Sequence, residues 1–248
     1  MMNTCPNAPL GRLFNLLESC MRATSIRLSI LAFAASFSAA TAQALTLPTS
    51  ALVANSVQEF TQDNLDSFTT VNLVVEPRGT AYVDKAAPAG SETPLAFGFP
   101  ITKIVIGATL NIQSGTASGS ALYFNRLNDD TGARLGLTLA NFTIDYQSKQ
   151  VLADTTPKGG ITVKQMPLYN FTSTVPLALK YKFPLTIVLH EQLGNLKLTA
   201  QAKQALIQAL ELPEVTQSAL DFDFGTLTQD VNAQFRARPV NSTPYVAK

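Results

Sequence analysis

The chain has 248 residues, of which 14% are charged and 46% hydrophobic, against about 25% charged in an ordinary soluble domain. That hydrophobic content excludes a disordered or collagen-like chain, and a formal net charge of +1, from 18 basic and 17 acidic residues, provides no basic field to hold nucleic acid. Two Cys, one His and no Trp leave few groups from which a catalytic site can be built.

The first 44 residues read as an address. Met21 is a second candidate start, followed by Arg22 and Arg27 and then an apolar run from Leu28 to Ala40. Ala42-Gln43-Ala44 closes the segment. A basic start, about a dozen apolar residues and an A-x-A ending make a secretory signal peptide, expected to be cleaved after Ala44. The run is shorter than the roughly 20 residues of a spanning helix. No second apolar run of membrane length follows. Removing Arg12, Arg22, Arg27 and Glu18 leaves 15 basic against 16 acidic residues, a net charge of −1. Cys5 and Cys20 leave as well. The exported chain then has no disulfide, thiolate nucleophile or zinc-thiolate site. The expected location is the periplasm, the outer surface or the surrounding medium of a bacterium.

Residues 45–248 read as one β-rich domain with loosely patterned ends at 45–70 and 237–248. Thr102–Ile112 alternates, with Ile104, Ile106, Ala108, Leu110 and Ile112 on one face, and predicts one half-buried strand. Ala121–Arg126 places Leu122 and Phe124 together. Asn128–Gly132 is a turn cluster, and Leu135, Leu137 and Leu139 close a hairpin. Phe142, Ile144 and Tyr146 resume the alternation after Ala140-Asn141. Pro157–Gly160 is a second turn. Leu177, Leu179, Tyr181 and Phe183 alternate next, then Leu185, Ile187 and Leu189. One helix breaks the series: Thr199 caps Ala200–Leu212, with Leu206, Ile207 and Leu210 as its apolar stripe and Pro213 ending it. Pro213–Leu220 suggests a second helical turn. Asp221–Arg236 reads as one long strand bulged at Gly225, which brings Phe222, Phe224, Leu227, Val231 and Phe235 to one face. Short strands without alternating helices predict an antiparallel β-sandwich or barrel-like domain with one short α-helix near the C-terminus.

Chemistry is sparse. His190 is the only histidine, so it would have to be the base of any serine or cysteine triad. No G-x-S-x-G elbow accompanies it, and zinc sites with two or three histidines are excluded. It reads as a hydrogen-bonded strand-end residue, or as an axial haem ligand. Asp221 and Asp223, two apart on a strand, are spaced for glycoside hydrolysis or simply face solvent. Asp129-Asp130 lacks the repeated carboxylates of a calcium loop. Tyr123, Tyr146, Tyr169 and Tyr181 fall on separate strands, where an outward ring could stack on a sugar or ligate haem iron. Asn141-Phe142-Thr143, Asn170-Phe171-Thr172 and Asn241-Ser242-Thr243 match the glycosylation pattern. No catalytic residue, metal site or cofactor is expected from these groups.

Two stretches resemble the HtaA-type haem-uptake domains of bacterial cell surfaces. One is Gly119-Ser120-Ala121-Leu122-Tyr123-Phe124 with Gly132-Ala133-Arg134-Leu135 and Leu137-Thr138-Leu139. The other is Leu196-Lys197-Leu198-Thr199 with the alanine-rich helix and Leu220-Asp221-Phe222. The resemblance implies a β-rich exported fold and raises haem as a ligand. The family's histidine in the first hairpin turn has no counterpart here, where that turn is Asn128-Asp129-Asp130. The leading expectation is an exported non-catalytic β-sandwich that binds an unidentified ligand or envelope protein. A haem-uptake protein and a glycan-active hydrolase are the alternatives.

Overall fold

The computed structural model describes residues 44–107, 111–182 and 186–247. The expected signal peptide at 1–44 therefore lies outside the described residues except for Ala44. Ala108, Leu110, Phe183 and Leu185 of the alternating runs lie outside them too.

The described chain is mainly β, a curled antiparallel sheet that forms a half-barrel. Its strands are β1 (Leu45–Pro48), β2 (Leu52–Glu59), β3 (Leu73–Gly79), β4 (Tyr82–Lys85), β5 (Ala96–Pro100), β6 (Lys103–Ile106), β7 (Ile112–Leu127), β8 (Arg134–Asp145), β9 (Gln150–Pro157), β10 (Val163–Lys182), β11 (Thr186–Leu198) and β12 (Thr226–Phe235). Helix α1 (Gln62–Thr70) follows β2, and α2 (Ala200–Leu210) with a 3-10 segment (Glu214–Asp221) precedes β12. The sheet order is β1-β6-β7-β8-β9-β10-β11-β12-β2-β5-β4. β7 divides one edge between β6, which pairs Ile112–Thr116, and β3, which pairs Ser120–Arg126.

Bulges bend the sheet. Register breaks fall between Ala117 and Ala121 of β7, between Ala140 and Thr143 of β8, and between Val163 and Met166 of β10. Gly119, Asn141 and Gln165 sit at these breaks with φ of 85°, 54° and 46°. Inserted residues in β7, β8 and β10 add twist, which curls the sheet around its core. They also explain the alternation: Leu137 and Leu139 have odd numbers, Phe142 and Ile144 even ones, and all four are buried in one cluster.

The helices close the concave face. Phe68 of α1 meets Phe60 and Phe124 edge-on at 5.4 and 6.3 Å between ring centres, and Phe60 meets Phe97 at 6.0 Å. Such T-shaped pairs add to the burial of their apolar area. From α2, Ala202, Leu206 and Leu210 are buried, one stripe at helical spacing. Ile207 packs only partly against the core.

Several expectations change. Thr102–Ile112 is not one strand but the whole of β6 and the first residue of β7, with Ile106 opposite Ile112 and Gly107 N donating to Asn111 O at 2.7 Å. The two isoleucines pair directly, so the alternation passes through the hairpin in phase. Residues 45–70, expected to form ordered arms or frayed ends, hold β1, β2 and α1. α1 is a second helix, fixed by a capping box between Thr61 and Asn64. α2 stops at Leu210, two residues earlier than expected, because Glu211 turns left-handed at φ 49°. The expected strand Asp221–Arg236 begins only at Thr226. Asp221 closes the 3-10 segment, Phe222 is 42% exposed and Phe224 is buried. Gly225 makes the turn at φ 94°, where a Cβ would lie 1.8 Å from Glu59 O.

Candidate functional site

Side chains from five separate segments leave an apolar groove of about 260 Å³ between α1, α2 and the 3-10 segment. Its floor is Phe68, Leu73, Phe124 and Phe224; its walls are Leu206, Leu210, Leu212, Ala219 and Leu220. Val215 and Phe222 stand at the mouth and are 84% and 42% exposed. The volume exceeds the roughly 150 Å³ of a benzene-sized cavity. It falls just below the roughly 300 Å³ at which sites for drug-sized ligands begin. Among the described residues, no charged side chain lines it. α1 and the 3-10 segment carry Asp63, Asp66, Glu214 and Asp221 and no basic residue, and Lys203 of α2 pairs with Asp221.

Arg126 holds the groove together. This residue of β7 is 5% exposed. Its Nε donates to Val71 O at 3.0 Å, just past α1, and its Nη1 donates to Leu210 O and Glu211 O at 2.8 and 2.9 Å, at the end of α2. Carbonyls at helix C-termini lack intrahelical partners and carry partial negative charge. One guanidinium satisfies both ends and fixes the separation of the helices. Neighbouring Asn128 adds a hydrogen bond to Glu211 Oε2 at 3.0 Å.

The sequence-selected residues lie elsewhere. His190 is inside β11, directly opposite Asp230 of β12, and its Nδ1 is 2.7 Å from Asp230 Oδ1. Asp221 accepts a hydrogen bond from Lys203, and that bond and charge hold its carboxyl below the usual value. Asp223 Oδ1 accepts from Leu196 N at 2.8 Å and Gly225 N at 3.0 Å. Each carboxylate already has partners, and Asp221 is shifted away from what a general acid needs. Asp129 accepts from Asn72 at 2.6 Å. Among the described residues, no three His, Cys, Asp or Glu side chains form a metal-holding group.

The described tyrosines have neighbours within the fold. Tyr123 lies across Gly136 and under Arg78, 5.4 Å from its ring centre. Tyr169 is buried, accepts from Gln58 at 3.2 Å and is pushed up to about 12 by burial. Tyr146 donates to Glu191 Oε2 at 2.5 Å. Glu191 is 4% exposed, and burial lifts its carboxyl above the usual value despite that bond. The side chain of Tyr181 lies outside the described residues. Of the three glycosylation triplets, Asn141 is buried with both amide atoms engaged, whereas Asn170 and Asn241 are exposed.

Sequence reasoning did not find the groove or Arg126. The separate signals were present: a Thr-capped segment at 61–70, an apolar stripe on α2, and a basic residue in an apolar strand. Nothing in the linear order brings them together.

No protein-family model and no curated relative matches the chain. Among solved structures, the C-terminal domain of HtaA from Corynebacterium glutamicum is similar in fold, at a TM-score of 0.47 and 12% identity. The match covers 73% of this chain and 97% of that one. Among the described residues, no helix is long and apolar enough to cross a membrane.

Proposed function

We propose that the chain is an exported, non-catalytic binding module of the bacterial cell envelope or extracellular space, and that the groove between α1, α2 and the 3-10 segment takes a small apolar ligand. The observation that carries this reading is the groove: about 260 Å³, lined mainly by Leu, Phe, Val and Ala with Asn64, Ser67, Thr70, Thr216 and Ser218 among them, and with its lining residues Val71 and Leu210 tied together through Arg126. A concave apolar site of this kind is the default binding site of a domain. The scarcity of acid, base and nucleophile in the chain supports a binding rather than a catalytic role, and the A-x-A signal pattern supports export.

The test is titration with the neutral probe N-phenyl-1-naphthylamine, followed by fluorescence. Saturable enhancement is expected in the parent and its loss in Ala219→Trp, whose indole fills the groove. A folded parent without saturable enhancement would overturn the reading.

One observation favours the haem alternative. His190 is paired through Nδ1 with a carboxylate, an arrangement that orients imidazoles as metal ligands. Hemin titration tests it: a Soret shift lost in His190→Ala would move the ligand site to that pair. The groove reading expects no such His190-dependent shift.

A further inference from the structure

On the face opposite the core, the C-terminal segment crosses β3, β7 and β8. Asn141, at the β8 bulge, handles that segment as a neighbouring strand would. Its Oδ1 accepts from Tyr245 N at 2.8 Å, and its Nδ2 donates to Tyr245 O at 2.9 Å. The same amide is locked from behind. Gly119 N donates to Oδ1 at 3.0 Å, and Nδ2 also donates to Asp154 Oδ2 at 2.8 Å. Two donors and two acceptors exhaust the side chain, so its orientation is set by the sheet.

Two glycines clear the path. A Cβ on Gly119 would lie 2.9 Å from Thr243 O and 3.0 Å from Asn241 O, and one on Gly79 would lie 2.9 Å from the Tyr245 ring. Glycine is the residue that admits the close approach of another backbone. Tyr245 continues into a surface depression of about 400 Å³ shared with Arg78, Tyr123 and Lys158. The contacts just described go to the segment's backbone and to one ring. They would be equally available to the same segment of another molecule.

We propose that this bulge-lined groove is a peptide-binding site, filled in cis by residues 241–246 and open in trans to the C-terminal segment of a second copy of this chain. Exchange of an identical element between protomers needs no new surface. The pseudo-ligand seated in the groove identifies the occupant: an extended Asn-Ser-Thr-Pro-Tyr-Val stretch read through the Tyr backbone. This site is separate from the apolar groove, so either can fail without the other.

The probe is a synthetic peptide of residues 240–248, added to the chain lacking 241–248 and followed by calorimetry. Saturable binding is expected. It should weaken about tenfold or more in the Asn141→Ala background, where two hydrogen bonds are lost. N-methylation of the peptide at Tyr245 should weaken it similarly, because that donor is the one Asn141 receives. A folded truncated chain that ignores the peptide would overturn the proposal. If the truncated chain does not fold, sedimentation of the full chain over a range of concentrations gives the answer. A dimer population that rises with concentration and falls in Asn141→Ala is expected, and a chain that stays monomeric up to its solubility limit would overturn the proposal.

Discussion

Arg126 Nη1 donates to Leu210 O at 2.8 Å, from the middle of a sheet to the last turn of a helix. Its Nε makes the matching contact to Val71 O, beyond the other helix. The guanidinium is therefore a brace between the ends of α1 and α2, whose residues Val71 and Leu210 line the apolar groove. Arg126→Met should cost about 3 kcal/mol, because it leaves buried carbonyls without donors. Urea unfolding should show this loss, and the same variant should weaken ligand uptake by the groove while strand content is kept. Unchanged stability would show that water replaces the brace.

Asp154 gives the chain an acid limb. Burial alone would raise its carboxyl, but hydrogen bonds from Lys164, Asn141 and Gln165 outweigh burial and hold it below its ordinary 3.8. A group with a depressed folded value contributes stability above its unfolded value and loses it as pH falls through the folded one. Melting temperature should therefore drop as pH falls below about 3.8. Asp154→Asn should be less stable at neutral pH and show a flatter acid limb. An unchanged acid limb would remove Asp154 from this role.

Glu191 works with the opposite sign. Burial raises its carboxyl above the ordinary 4.5, so its contribution is present below that value and is lost as pH rises through the folded value. Glu191→Gln keeps an acceptor for the Tyr146 hydroxyl and removes the buried charge. It should melt at a higher temperature than the parent at pH 7, with the difference vanishing below pH 4.5. A lower melting temperature at pH 7 would contradict this.

Gly225 is a narrower test of the turn into β12. Its φ of 94° and the nearness of Glu59 O leave no room for a Cβ. Gly225→Ala should cost about 2 kcal/mol or more, from combined strain and displacement of β2, as read by chemical denaturation.

Period-two patterning made most strands legible, including β7 around Leu122 and Phe124 and β8 around Leu137 and Leu139. It missed the break between β6 and β7 because Ile106 and Ile112 pair directly and keep the phase. It missed α1 because Gln62–Thr70 buries only Leu65 and Phe68 among its apolar residues, too few for a stripe. The cap at Thr61 with Asn64 was a usable signal, although Asn stands where Glu or Gln is the common partner. Gly225 was found, but as a bulge within a strand rather than the turn before one. The groove was hidden for a different reason. Its walls come from α1, β3, β7, α2 and the residues before β12, and only their packing creates the space. His190 and the two aspartates drew notice because they are rare or spaced alike. In the fold they are satisfied by near neighbours.

Ligand uptake by the apolar groove is read by fluorescence titration of the protein with N-phenyl-1-naphthylamine, in parallel with Ala219→Trp and His190→Ala. Saturable enhancement in the parent and in His190→Ala, with none in an equally stable Ala219→Trp, is the predicted result. Equal enhancement in all three, or none in the parent, would contradict it.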